Sequence, residues 1–304
     1  MHPHRILVRG PNWIGDNIMA LPFYQKLREV YSSSHLTLVG PMKFPEFDSC
    51  FSLDEFHTSF FHLGISLPAS FRAALWLFQS GARQRVGYAE VAARIFYDDS
   101  LAWPGRSSGK HKSEIYLDLL RWMSGFSMKL PTIEANRTRA EKLILLAPGA
   151  SIPLREWPYF PELAVELEAR YPDHALVLLG TDEEKKWLSL FSRHGVKRIE
   201  DRLGKTSLEE VTSLSRRAAA VVTNDSGIAH LSSTLGGAPT IVLFGPGDPH
   251  YIQPLGPKVF PVWAEGVPCR PCESATCRAP YGYQRCLKEI SVRQVLERLT
   301  EALT

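Results

Sequence analysis

The chain alternates short unbroken apolar runs with stretches in which apolar residues recur at helical spacing, most regularly over residues 218–249. Residues 218–222 form an apolar run too short for a helix and closed by polar turn residues, which predicts a buried strand. Thr223, Asn224, Asp225, Ser226 and Gly227 follow, and Ile228, Leu231 and Leu235 then mark one helical face that stops at Gly236-Gly237. Residues 240–244 predict a second strand, ended by Gly245-Pro246-Gly247-Asp248-Pro249. Such a unit places its small and polar residues at the carboxyl end of a strand. Ligands sit at that edge of open parallel sheets, and the N–H groups of a helix start favour an anion there. One cap residue would serve the helix. Three in a row before a glycine fit a phosphate-binding turn better, with His230 one helical turn beyond Ser226.

The rest of the second half repeats this alternation. Strands are predicted at 143–147 and 175–179, and helices at 161–171, 183–191 and 208–216. Strand–helix alternation implies parallel strands covered by helices. Ser291 with Gln294 makes a capping-box start for a last helix, whose Val292, Val295, Leu296, Leu299 and Leu303 form one apolar stripe. In the first half, strands are predicted at 6–9, 36–39 and 60–67, and helices at 70–80 and 113–123. A helix carrying Ile18, Leu21, Tyr24 and Leu27 contains Pro22, so it either kinks or starts later than Asp16. Residues 42–60 show no clear period, and 125–139 read as the linker between halves.

Length allows two domains of about 150 residues each. A net charge of +3 with no basic run gives no argument for nucleic acid as a partner. The N-terminus enters a strand without the apolar core of a signal peptide, and no run approaches the roughly 20 apolar residues that span a bilayer. Four of the five cysteines cluster late in the chain, which suits a reducing compartment. The expectation is a cytoplasmic protein, at most touching the inner face of a membrane.

Several turns carry candidate chemistry. The turn from Gly10 to Asn17 has only two glycines, short of a dinucleotide fingerprint, and that counts against a nicotinamide-dependent oxidoreductase. Asp16 and Asn17 stand where a phosphate loop needs lysine and a hydroxyl. Asp16 at a strand's carboxyl end is placed either to take a proton from a hydroxyl or to cap the next helix. Pro148-Gly149-Ala150-Ser151 with Arg155 suit a diphosphate, unless Arg155 is simply an exposed loop arginine, and the carboxylates of Gly180-Thr181-Asp182-Glu183-Glu184 suit either ribose hydroxyls or a solvated helix start. Cys269, Cys272, Cys277 and Cys286 either hold zinc or are small buried thiols in a proline-rich connection, their second and third gaps being atypical for the metal. Phe71, Trp76 and Phe78 with Arg72, Arg83 and Arg85 fit a core helix with solvated arginines, or a membrane-facing patch.

Taken together, these residues resemble the family 9 glycosyltransferases, the ADP-heptose:lipopolysaccharide heptosyltransferases, and most closely the heptosyltransferase II type. Five blocks carry the resemblance: Gly10-Pro11-Asn12-Trp13-Ile14-Gly15-Asp16 with Leu21-Pro22; Ser70-Phe71-Arg72-Ala73-Ala74-Leu75; residues 148–158; residues 223–230 with Phe244-Gly245-Pro246; and Cys269-Arg270-Pro271-Cys272. The resemblance implies an α/β fold of GT-B type, two Rossmann-like domains facing across a cleft. It divides the chain into an acceptor domain (1–140), a nucleotide-sugar domain (141–285) and a last helix (286–304) crossing back to the first domain. It implies transfer with inversion, no cofactor and no required metal, from ADP-heptose to a lipopolysaccharide inner-core acceptor of the Kdo-lipid A type. Asp16 would be the base. Ser151, Arg155, Ser226 and Gly227 would hold the diphosphate, with Asn224 beside them. Glu184 would meet the ribose, Thr206 the adenine, and Asp225 and His230 the phosphate and heptose; Asn12, Trp13 and Arg72 would face the acceptor. Two departures stand out: Arg155 where the family usually has lysine, and a shortened stretch at 44–60. A transferase of another nucleotide-sugar, or a non-catalytic nucleotide-sugar binder, would share most of these residues.

Overall fold

The computed structural model describes residues 3–304 except 136, 139, 273 and 281. Its contacts divide the chain into Met1–Thr132 and Ile133–Thr304. The first unit has strands β1 (Arg5–Arg9), β2 (His35–Val39), β3 (Ser49–Phe51), β4 (Phe61–Ser66), β5 (Ala82–Tyr88) and β6 (Asp99–Leu101). They are parallel and lie in the order β3-β2-β1-β4-β5-β6. Its helices are α1 (Ile14–Met19), α2 (Leu21–Val30), α3 (Phe71–Gln79) and α4 (Lys112–Ser124).

The second unit repeats the plan with β7 (Leu143–Ala147), β8 (Ala175–Leu178), β9 (Ile199–Asp201), β10 (Ala220–Asn224), β11 (Thr240–Phe244) and β12 (Val259–Trp263). Here the order is β12-β11-β10-β7-β8-β9, again all parallel. Its helices are α5 (Phe160–Arg170), α6 (Lys186–Arg193), α7 (Leu208–Arg217), α8 (Gly227–His230), α9 (Pro249–Ile252), α10 (Arg285–Lys288) and α11 (Val292–Leu303). In each sheet the first strand sits at the centre, the next two run outward on one side and the last three on the other. That is the doubly wound order, and its switch point falls between β1 and β4 in one unit and between β7 and β10 in the other.

The second core shows why these segments take these forms. Ile144, Leu146, Val222, Ile241 and Leu243 are fully buried strand residues, and Trp157, Phe160, Leu163 and Leu167 close over them. Burial of each such side chain stabilises the fold by about 1.5–3 kcal/mol. Strands covered on both faces carry continuous apolar runs, which explains why β7, β10 and β11 were visible in the sequence.

Several details differ from the sequence reading. Pro22 does break the predicted first helix: α1 ends at Met19, and Pro22 occupies the second position of α2, where no backbone donor is needed. The basic segment after α3 is a full strand, β5, with Val86 and Tyr88 buried and its charged residues toward solvent. Strands β3, β6 and β9 have three residues each, too few to show a period. Strand β12 contains Pro261, tolerated because β12 is an edge.

Residues before 141 also join the second unit, since Arg137 donates to the Ala218 carbonyl at 3.0 Å and Thr138 to Arg216 at 3.1 Å. The last helix has the predicted Ser291–Gln294 capping box. Of its stripe, Val295, Leu296 and Leu299, together with Ala302, are buried in the core of the second unit. One apolar face was available and the second sheet takes it. Among the described residues no helix is long and apolar enough to cross a membrane.

Candidate active site

In the first unit, β1 ends at its sheet's switch point and delivers the turn 10–16. Three buried groups shape that turn. The Arg9 guanidinium donates to the Gly10 carbonyl and to Asn12 Oδ1, and lies 5.7 Å over the Trp76 ring. The Asn17 amide donates to the Pro11 carbonyl and, at 3.1 Å, to that of Trp13, while its oxygen accepts from Tyr24 Oη at 3.0 Å. A Cβ at residue 10 would fall 2.7 Å from Asn17 Oδ1, so only glycine fits. With the inner side of the turn so occupied, Asn12 and Trp13 are left exposed at its tip.

Asp16 lies in the first turn of α1, with its side chain 22% exposed, and accepts a 2.8 Å hydrogen bond from Lys112 Nζ at the start of α4. The cap position belongs to Trp13, whose side chain makes no capping bond, so the capping alternative for Asp16 does not hold. Its carboxylate is held by a cation and reachable from solvent. Lys112 was missed in the sequence because 96 residues separate the partners.

In the second unit the switch point collects the predicted residues. Thr223 pairs with Ala147 across β10 and β7, so the turns 148–151 and 225–227 emerge side by side. Asn224, fully buried, is the pin between them: its amide donates to the Pro148 carbonyl at 2.6 Å and its oxygen accepts the Trp157 N–H at 3.0 Å. Direct donor contact was expected of Asn224; its hydrogen-bonding groups are instead committed to the protein's own backbone.

Asp225, 5% exposed, forms a 3.0 Å ion pair with Arg155, whose side chain is 21% exposed. Arg155 therefore comes to the turn with its guanidinium oriented by the pair, and its Nε is a buried donor with no partner among the described residues. Unmet buried donors are rare in folded proteins. Ser226 caps α8 by position, without a side-chain capping bond, and its hydroxyl lies 3.2 Å from that of Thr223. His230 is buried at the end of α8, where the chain widens into a π-helical turn, Leu231–Leu235. Such turns recur at functional sites.

The neighbouring turns complete the edge. The Glu184 carboxylate lies over Gly149 and Gly180, so close that neither position has room for a Cβ. Glu184 also accepts from the Thr181 N–H at 2.9 Å in a capping box, so it sits at a helix start but is not the solvated acid of the alternative reading. Burial pushes its carboxyl above the usual carboxylate range, with the charge of Glu156 adding to the effect and the Thr181 N–H opposing it. Thr206, half-buried, follows Gly204, whose N–H bonds the Gly180 carbonyl at 2.9 Å. Ser151 stands exposed in the turn after β7.

The cysteine segment does something the sequence reading did not anticipate. Among the described residues no three His, Cys, Asp or Glu side chains are grouped to hold a metal ion. The thiols are not uniformly buried either: Cys286 is, Cys272 is exposed, and burial pushes the Cys286 thiol up to about 11. Instead the segment clamps the turn after β11. Arg270 donates to the carbonyls of Gly245, Gly247 (3.2 Å) and Ala264 (3.1 Å), and the Cys272 N–H bonds the Pro246 carbonyl at 3.0 Å. Gly247 in turn packs against Asp225, where a Cβ would fall 2.6 Å from the carboxylate. The only trace of this clamp in the sequence is an arginine between two cysteines.

Comparison with known proteins agrees with this geometry. Residues 57–281 match the model of glycosyltransferase family 9 (heptosyltransferase). The chain belongs to that family. It is 24% identical to the lipopolysaccharide heptosyltransferase 2 of Salmonella typhimurium over 347 residues, covering 99% of each. Its fold is similar to that of the E. coli ADP-heptose lipopolysaccharide heptosyltransferase II, with a TM-score of 0.76 at 21% identity over 98% of each chain. It is also similar to the E. coli heptosyltransferase WaaC solved with ADP, with a TM-score of 0.73 at 18% identity over 98% of this chain and 99% of that one. The chain is thus a glycosyltransferase with a doubly wound α/β fold of the GT-B class.

The clamp has a measurable consequence. Arg270→Met removes bonds from a charged donor worth about 1.5–3 kcal/mol each. The melting midpoint is expected to fall by at least about 3 °C. The KM for the sugar donor should rise more than kcat falls, with Arg270→Lys recovering only part because one ammonium cannot span three carbonyls. Unchanged donor KM in both variants would remove Arg270 from the site.

Proposed function

We propose that this glycosyltransferase moves heptose from ADP-heptose to a hydroxyl of a lipopolysaccharide inner-core sugar of the Kdo-lipid A type, with inversion and without a metal ion. The observation that carries the reading is the pair between half-buried Arg155 and buried Asp225 at the switch point of the second sheet, with an unused Arg155 donor beside the start of α8. Ser151, Ser226, the Gly227 N–H and Arg155 bind the diphosphate, while Asp225 aims the guanidinium rather than meeting the phosphate itself. Glu184 accepts from the ribose hydroxyls, Thr206 borders the adenine, and His230 meets the sugar-phosphate end. Asn224 acts one step back, holding the two turns together.

In the first unit Asp16, steadied by Lys112, takes the proton of the acceptor hydroxyl, whose oxygen attacks the anomeric carbon on the face opposite the diphosphate. The glycosyl–oxygen bond to ADP breaks as the new one forms, through an oxocarbenium-like transition state. Charge builds on the departing ADP. Arg155 and the backbone N–H groups bind it better as that happens, and this differential lowers the barrier. Asn12, Trp13 and Arg72 serve the acceptor. The reaction belongs in the cytoplasm, at the inner face of the membrane that holds such an acceptor.

Thermal unfolding with ADP, UDP, GDP, CDP and NAD tests the donor half. ADP alone is expected to raise the midpoint, by an amount equivalent to about 2.7 kcal/mol at a hundredfold excess over Kd. Stabilisation by UDP or GDP instead would assign another nucleotide-sugar, and stabilisation by NAD would overturn the reading.

A further inference from the structure

The first unit carries an apolar surface that the proposed reaction leaves unused. Helix α3 buries Ala74 and Leu77 and turns Phe71 and Phe78 outward, 44% and 49% exposed. The 3-10 helix Val91–Phe96 lies alongside and buries Ala93, leaving Val91 82% and Ile95 78% exposed. Phe96 joins the two elements, its ring centroid 5.2 Å from that of Phe71 and 5.6 Å from that of Phe78. Single exposed apolar residues are ordinary on a soluble protein; a joined group on two adjacent elements is not.

The rim is cationic. Arg83 and Arg94 are exposed, and neither is in an ion pair among the described residues. Arg85 lies 5.0 Å over the Phe78 ring and pairs with Asp98. Glu90, at the start of the 3-10 helix, and Asp99, at the start of β6, are the other acids close by in the chain.

We propose that α3 and the 3-10 helix Val91–Phe96 dock the protein on an anionic lipid bilayer, with Val91, Ile95, Phe71 and Phe78 entering the interface and the arginines meeting lipid phosphates. This rests on the reading that the acceptor is a lipid-linked sugar. Apolar residues flanked by arginine are the chemistry of interfacial attachment, in which burial and electrostatic attraction add. A second copy of this chain fits less well. A two-fold contact through the same patch would set the unpaired arginines against their own copies.

The test is co-sedimentation of the full chain with vesicles of phosphatidylcholine alone and of equal parts phosphatidylcholine and phosphatidylglycerol. The protein should sediment with the anionic vesicles only, and added salt should weaken it. V91E/I95E should abolish sedimentation, while Arg83→Gln and Arg94→Gln should each lower the partition coefficient about fivefold. Unfolding midpoints should match the parent protein, which shows that the variants fold. Sedimentation unaffected by these substitutions would overturn the proposal. So would a lack of binding to both vesicle types, or a solution dimer that V91E/I95E dissociates, the latter assigning the patch to a second copy. ADP stabilisation measured on the same samples separates the two readings: if ADP fails while the vesicle pattern holds, the donor assignment falls and the docking surface stands.

Discussion

Asp16→Asn is expected to lower kcat by about 10²- to 10⁴-fold, the usual contribution of a general base, while the ADP affinity stays within about twofold. The substitution is isosteric. An asparagine oxygen can still accept from Lys112, so the turn that Asn17, Tyr24 and Arg9 build is undisturbed. What disappears is the proton acceptor. Lys112→Met gives the complementary result: the carboxylate remains but loses the bond that orients it. Misplacement of a reacting group by about 1 Å can cost up to 10²-fold, so turnover should fall less than in Asp16→Asn, again without loss of ADP. Steady-state rates with a truncated acceptor, beside calorimetric ADP titration, check both. A loss of ADP affinity in Asp16→Asn would refute the assignment of base and donor grip to different units.

Arg155→Met should damage both stability and donor binding. It leaves Asp225 at 5% exposure without its 3.0 Å partner, and removing one member of a buried pair typically costs about 3–5 kcal/mol. For a unit of this size that is a midpoint shift of roughly 6–20 °C. ADP affinity should fall as well, because the guanidinium is the cationic side chain among those assigned to the diphosphate. Arg155→Lys should recover stability better than turnover, since an ammonium can neutralise Asp225 but cannot hold a carboxylate and a phosphate with a planar fork. Double replacement Arg155→Met with Asp225→Asn separates the effects: the midpoint should return toward the parent value while ADP binding remains weak. A midpoint unchanged in Arg155→Met would show that the pair is not formed in solution.

The legible parts of the fold were those dictated by local pattern. Strands β7, β10 and β11 stood out because a strand buried on both faces must be apolar throughout. Helix α11 stood out through its stripe and capping box, yet the stripe could not name the sheet that would receive it, and it went to the second unit. The short strands β3, β6 and β9 were invisible because three residues carry no period. Strand β5 was hidden by its arginines, which sit on the solvent side.

The candidate turns could be picked out along the chain, whereas the partners that reach them across the fold could not. Asn224 was picked out as a donor-binding residue, and its amide joins two backbone segments; a buried amide looks the same in sequence whether it binds a ligand or such segments.

By itself the sequence determined the α/β alternation, the turn of small and polar residues after β10, the carboxylate at Asp16 and the family to which these blocks belong. Tertiary structure decided the rest: that Lys112 holds Asp16, that Asp225 spends its charge on Arg155, and that Arg270 grips the turn after β11. The physical reason is range. Periodicity and turn chemistry are written between neighbours along the chain, whereas ion pairs and backbone clamps join residues that only the doubly wound sheets bring within 3 Å or so of one another.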